Sequence, residues 1–143
     1  MLISKECDYA VRIVRALADG GKKTAEDIGR KENIPHQFAY KILKKLERSG
    51  LVRAFRGKAG GYALTKGIDE FSLYDVFSAV EERVILTACL QKDFVCPMNE
   101  DGTHCRVHRE FIRLQELLFA GLKEKKVSEV LGLACGVDFG ASG

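Results

Sequence analysis

Between Thr24 and Thr65 the chain alternates helical periodicity with breaks in an order that few folds accommodate. Thr24-Ala25-Glu26-Asp27 sets a capping hydroxyl before a helix and an acid at its third position. It opens a short helix to about Glu32, with Ala25 and Ile28 facing inward. Asn33-Ile34 breaks that helix, and Pro35 is expected at the first position of the next, where a missing N–H costs nothing. This second helix is predicted to reach Ser49, to bury Phe38, Ile42, Leu43 and Leu46, and to stop at Gly50. Its opposite face shows His36, Gln37, Tyr40, Lys41, Lys44 and Lys45. Two β-prone runs follow, Leu51 to Phe55 and Tyr62 to Thr65, around the tip Arg56-Gly57-Lys58-Ala59-Gly60-Gly61. No helix opens directly after that tip and no GK[ST] follows, so a nucleotide-binding P-loop is excluded.

An earlier amphipathic helix is marked by Tyr9, Ala10, Ile13, Val14 and Leu17, ending at Asp19-Gly20-Gly21. A helix, a short helix, a turn, a helix with a basic outer face and a glycine-rich hairpin predict a winged helix-turn-helix. In that layout His36 and Tyr40 are candidates for base edges and Lys44 and Lys45 for phosphates, with Gln37 and Lys41 on the same DNA-binding face. Arg56 is the candidate for groove insertion, with Lys58 beside it, while Gly60 and Gly61 allow close approach of the wing backbone to phosphate.

Charge distribution agrees. The net charge of +3 conceals +6 in residues 1–70, from 15 Lys and Arg against 9 Asp and Glu, and −3 in the remainder. Between residues 41 and 58 seven basic side chains face one acid, Glu47, which points to a polyanionic partner for this half. At 143 residues, with 46% hydrophobic and 30% charged side chains, the chain has the composition of one globular domain. No apolar run approaches the roughly 20 residues of a membrane span, and the N-terminus has no apolar signal region, so the expected compartment is the cytoplasm.

The last third reads differently. Ser72 with Asp75 caps a helix that buries Val76, Phe77 and Val80. From about Arg83 to His104 periodicity fades, and long irregular loops in small domains are usually functional. This loop and its end carry Cys89, Cys96 and Cys105, with His108 three residues beyond, in the spacing Cys-x6-Cys-x8-Cys-x2-His. Cys105 and His108 share a helix face, and the set is compatible with an iron–sulfur cluster or a zinc ion. Paired CxxC knuckles are absent. A long helix from Val107 to about Lys126 carries Phe111, Ile112, Leu114, Leu117, Leu118, Phe119 and Leu122, an apolar face wide enough for a homodimer. A short helix at Ser128 to Leu131 closes the pattern, and Cys135 beside the glycine-rich tail is given no role.

These residues resemble the Rrf-two family of bacterial winged-helix transcription regulators, which includes IscR-like and NsrR-like iron–sulfur sensors. The resemblance covers about residues 2–132 and rests on Ser4-Lys5 with Asp8-Tyr9-Ala10, Ile34-Pro35, and Leu46-Glu47-Arg48-Ser49-Gly50-Leu51-Val52 leading into Arg56 to Tyr62. It implies a homodimeric regulator, most simply a repressor, on a double-stranded DNA operator. Three cysteines and a histidine holding a 2Fe–2S cluster would here be Cys89, Cys96, Cys105 and His108. Family members with a 4Fe–4S cluster use instead an aspartate near the N-terminus, donated by the partner subunit, and Asp8 occupies that position. Cys7 is a further ligand or oxidisable thiol by position, and the gaps of six and eight residues are wider than the family's usual ones.

The expected organisation is a mostly α fold. It comprises a winged helix-turn-helix over 1–80, a cysteine-bearing sensor loop over 81–105, a dimerisation helix with a short terminal helix over 106–132, and a flexible tail over 133–143. The alternatives are a regulator of the same fold switched by thiol oxidation, a metabolite or a partner protein, and a zinc-bound form. No catalytic constellation is visible, so an enzyme is not expected.

Overall fold

The computed structural model describes residues 3–98 and 105–133. Helices α1 (Lys5–Ala16), α2 (Ala25–Glu32) and α3 (His36–Arg48) precede an antiparallel hairpin of β1 (Val52–Phe55) and β2 (Gly61–Leu64). Helix α4 (Leu73–Val80), a 3₁₀ turn at Ala88–Leu90, α5 (Arg106–Glu124) and α6 (Val127–Leu131) complete the order. The fold is that of a winged helix-turn-helix extended by a long helix.

Local chemistry explains most boundaries. Ser4 caps α1, its hydroxyl accepting the Cys7 N–H at 3.2 Å, so the helix begins a turn before the apolar period that announces it. Thr24 caps α2 by accepting the Asp27 N–H at 3.1 Å, but only this half of the expected capping box is present. Asn33 ends α2 in the left-handed region at φ 54°, which asparagine tolerates. Pro35 is the cap residue of α3 and not its first helical residue, and it supplies no side-chain hydrogen bond. Ser72 and Asp75 form the full reciprocal box at α4.

The core is built where three helices cross. Ala39, Ile42, Leu43 and Leu46 of α3 are fully buried against Ala10, Ile13, Val14 and Leu17 from the first helix and its end, and against Ile28 of α2. Phe38 was expected in this core and is not there: it is 41% exposed, its ring 6.0 Å from that of Tyr9. At 100° per residue the buried stripe of α3 is centred on Ala39, Ile42, Leu43 and Leu46, which leaves Phe38 at its edge. Glu32, at the end of α2 and almost fully buried, receives both Nε and Nη2 of Arg15, with Nε 3.2 Å from each carboxylate oxygen. Arg12 donates to the Glu32 carbonyl at 3.4 Å, so two arginines of α1 fasten the end of α2.

The long helix α5 has no fully buried residue. It leans on α4, where Phe119 meets Tyr74 edge-on at 5.2 Å and Leu122 packs against the core. The chain then returns: the Val127 N–H bonds the Phe71 carbonyl and that of Ser128 the Ile68 carbonyl, both at 2.9 Å. Val127 is thereby buried in the winged-helix core, which the sequence division had placed with the dimerisation segment. Of the tail expected over 133–143, all but Leu133 lies outside the described residues, as does Cys135.

Ile42→Ala is expected to lower unfolding free energy by about 2–5 kcal/mol through cavity formation. Phe38→Ala, at the edge of the stripe, should cost about 1 kcal/mol or less. Urea denaturation followed by circular dichroism checks the ranking, and equal losses would contradict it.

Candidate functional site

One face of the molecule collects α3 and the wing. His36, Gln37, Tyr40 and Lys41 are exposed along α3, with Lys44 half-exposed in line with them. Lys44 Nζ lies 5.5 Å from the Tyr40 ring centroid and 3.1 Å from Glu47. The Glu47 hydrogen bond, with the field of neighbouring side chains, raises the pKa of the Lys44 ammonium above its ordinary value.

The three lysines of the expected DNA-binding face of α3 are not equivalent. Lys41 donates to Glu6 of α1 at 2.6 Å, and Lys45 donates to the other oxygen of the same carboxylate. Lys45 also bonds the Val80 carbonyl at 3.0 Å, where α4 ends. Hydrogen bonds from these two lysines hold the Glu6 carboxyl below its usual range. Arg56 and Lys58 at the wing tip are exposed and form no ion pair among the described residues.

The wing is braced from behind. Lys23 and Tyr62 exchange backbone hydrogen bonds at 2.9 and 2.8 Å, adding a bridge to the β1–β2 hairpin. Lys22 donates to the Ala59 carbonyl at 2.7 Å and lies over the Phe55 ring at 4.9 Å. Gly61 has φ 143°, and a Cβ there would fall 2.8 Å from the Lys23 carbonyl oxygen. At Gly60 a Cβ would meet the Gly57 and Phe55 carbonyls, both at 2.8 Å. The wing's own backbone therefore requires both glycines.

The cysteine loop leaves α4 at Glu81, which accepts the Ser4 hydroxyl and, at 3.7 Å, the Cys7 thiol. Cys89 sits in the 3₁₀ turn, which packs on α5, and the Leu86 N–H bonds Gln115 of α5 at 2.8 Å. Cys105 is the cap residue of α5, its sulfur 3.4 Å from the His108 N–H. Cys7, Cys89, Cys96 and Cys105 are free thiols. The chemistry of three accessible thiols and an imidazole suits a cluster or zinc, although no three donors converge within this single chain among the described residues. Residues 99–104, which join Cys96 to Cys105, lie outside the described residues.

Asp8 points elsewhere, exposed on α1 and paired with Arg12 at 3.0 Å. Cys7 is only 2% exposed and faces Glu81, and burial pushes its thiol up. Sequence reasoning missed Glu6, Lys22, Lys23 and Glu81, whose partners across the fold lie far away along the chain, so no local pattern marks them.

Comparison with known proteins fits this geometry. The family model described as Rrf2, iron-dependent transcriptional regulator, matches residues 3–132. An IscR transcriptional regulator of Aliivibrio salmonicida is 34% identical over 111 residues, covering 76% of this chain and 64% of that protein. The aau3 protein of Rhizobium meliloti is 33% identical over 101 residues, covering 68% of this chain and 66% of its own. Among solved structures, CymR, the global cysteine regulator of B. subtilis, superposes with a TM-score of 0.70 at 20% identity, covering 92% of this chain and 97% of that one. T. potens IscR gives 0.69 at 18% identity, covering 92% and 87%.

Two outcomes follow from this geometry. Gly61→Ala should destabilise the domain by about 1–3 kcal/mol, read by urea denaturation, because the backbone conformation and the Lys23 carbonyl both oppose a side chain. Near neutral pH, Cys7 should alkylate far more slowly than Cys89, Cys96 or Cys105 in a mass-resolved iodoacetamide time course; equal rates would contradict its burial.

Proposed function

Because this chain belongs to the Rrf2 family of transcriptional regulators, we propose that it binds a duplex operator as a homodimer whose affinity is switched by an iron–sulfur cluster on its cysteine loop. Transcriptional regulation through DNA is the family's function; the signal, the dimer and the contact residues are our reading. The observation that carries it is Cys105, a thiol at the N-terminal cap of α5 that accepts a backbone N–H of that helix, with His108 one turn on.

Cys89, Cys96 and Cys105 would hold the cluster, with His108 or the N-terminal Asp8 completing the set. When bound, the cluster would supply a link that responds to oxidants, nitric oxide or iron supply. The loop is attached to α5 by the Leu86–Gln115 bond, and α5 exposes Val107, Leu114 and Leu117. That apolar row supports pairing with a second α5. A loop held against α5 fixes how two copies sit together, and hence the distance between their recognition helices. Operator half-sites have a fixed spacing, so a small rotation lowers affinity. On this reading His36, Gln37 and Tyr40 face base edges, Lys44 and Lys58 face phosphates, and Arg56 enters a groove. A cytoplasmic setting fits, and no helix among the described residues is long and apolar enough to cross a membrane.

The accessible free thiols also support a second reading, in which oxidation of Cys89, Cys96 or Cys105 is itself the switch. Anaerobic purification with iron analysis and visible absorption separates the two. The cluster reading expects bound iron with charge-transfer absorption, reduced in His108→Ala or Asp8→Ala. Colourless, iron-free protein after anaerobic reconstitution would overturn it in favour of thiol chemistry. Equal operator binding by loaded and cluster-free protein at matched salt would overturn the switch.

A further inference from the structure

We propose that Glu6 is a carboxylate latch on the recognition helix, holding Lys41 and Lys45 against α1 and so withholding them from the DNA backbone. The inference rests on the reading that α3 faces DNA. Glu6 stands in the first turn of α1, yet each of its oxygens takes an ammonium from α3, 35 and 39 residues away. Its side chain is 26% exposed, while that of Lys41 is 54% exposed, so the latch lies at the rim of the interface and not beneath it. Lys44, one position before Lys45, pairs with Glu47 of its own helix and stays on the outer face.

The contact also ties three segments together. Lys45 bonds the last carbonyl of α4, and the next residue, Glu81, accepts the Ser4 hydroxyl from the cap of α1. The start of α1, the end of α4 and the recognition helix thus meet at one point, and the cysteine loop leaves from it. Ser4, Glu6, Lys45, Val80 and Glu81 line one solvent-open cleft there. A shift of the loop base or of the N-terminal turn would separate Glu6 from its lysines and release both for phosphate. DNA affinity would then change without any movement of the base-reading side chains.

Each phosphate neutralised steepens the plot of log K against log salt by about 0.9. Glu6→Gln is nearly isosteric, and with a 30-base-pair duplex of random sequence it should steepen the slope by about 1–2. Lys41→Gln should change the slope little in the otherwise native chain, but lower it by about 0.9 in the Glu6→Gln background. Circular dichroism melts establish that each variant is folded. Salt-dependent binding by the native protein with the same slope in Glu6→Gln overturns the latch alone. So does a full loss of about 0.9 from Lys41→Gln by itself, a result that does not depend on the Glu6 variant folding. Binding by the native protein that is absent or indifferent to salt overturns the DNA-facing reading, and the latch with it.

Discussion

Everything on the interface face depends on how one side of α3 is buried. Ala39, Ile42, Leu43 and Leu46 insert between α1 and α2, and none of them touches solvent. Burial of this kind is worth about 1.5–3 kcal/mol for each large side chain, which pins both the axis and the rotation of the helix. Once the rotation is set, the polar residues have no freedom in where they project. The face that carries Gln37, Tyr40 and Lys44 is outward because the opposite face has nowhere else to go. The Arg15–Glu32 pair then fastens the end of α2 to α1, and the left-handed Asn33 turns the chain from α2 towards α3.

The wing is positioned by a different means. A two-stranded hairpin is marginal by itself, and this one gains a third line of backbone bonds from Lys23 and a brace from Lys22. Those contacts tie the hairpin and its tip to the segment between α1 and α2 while leaving Arg56 and Lys58 exposed. The positive charge of the N-terminal half is therefore sorted into two kinds. Wing charges are open to solvent, whereas two of the helix charges are already engaged by Glu6. A count of basic residues therefore overstates the number of unpaired charges on this face.

The helices, the hairpin and the caps at Thr24 and Ser72 are legible in the sequence because they are local. A hydroxyl and a backbone N–H three residues apart meet whenever the helix forms, as Ser72 and Asp75 do. Phe38 was assigned to the core because periodicity names a stripe without naming its centre, and the centre is set by what packs on it. Ser4 went unread as a cap because the turn it opens is polar, with no apolar period to reveal it. The bonds of Glu6 to Lys41 and Lys45, and of Glu81 to Ser4, span 35 to 77 residues and leave no periodic trace.

The cysteine loop marks the same boundary. Cys89, Cys96, Cys105 and His108 are legible as candidate ligands from spacing, since residue type and interval are local properties. Where those side chains sit in space depends on the 3₁₀ turn packing on α5 and on the Leu86–Gln115 bond. The amino-acid order thus determined the winged-helix class, the basic face, the thiols and the long apolar helix, each a matter of short-range pattern. Tertiary structure alone decided which lysines are free, which cysteine is buried beside Glu81, and that Val127 returns to complete the core. Those are contacts between distant segments, whose geometry exists only after the helices have packed.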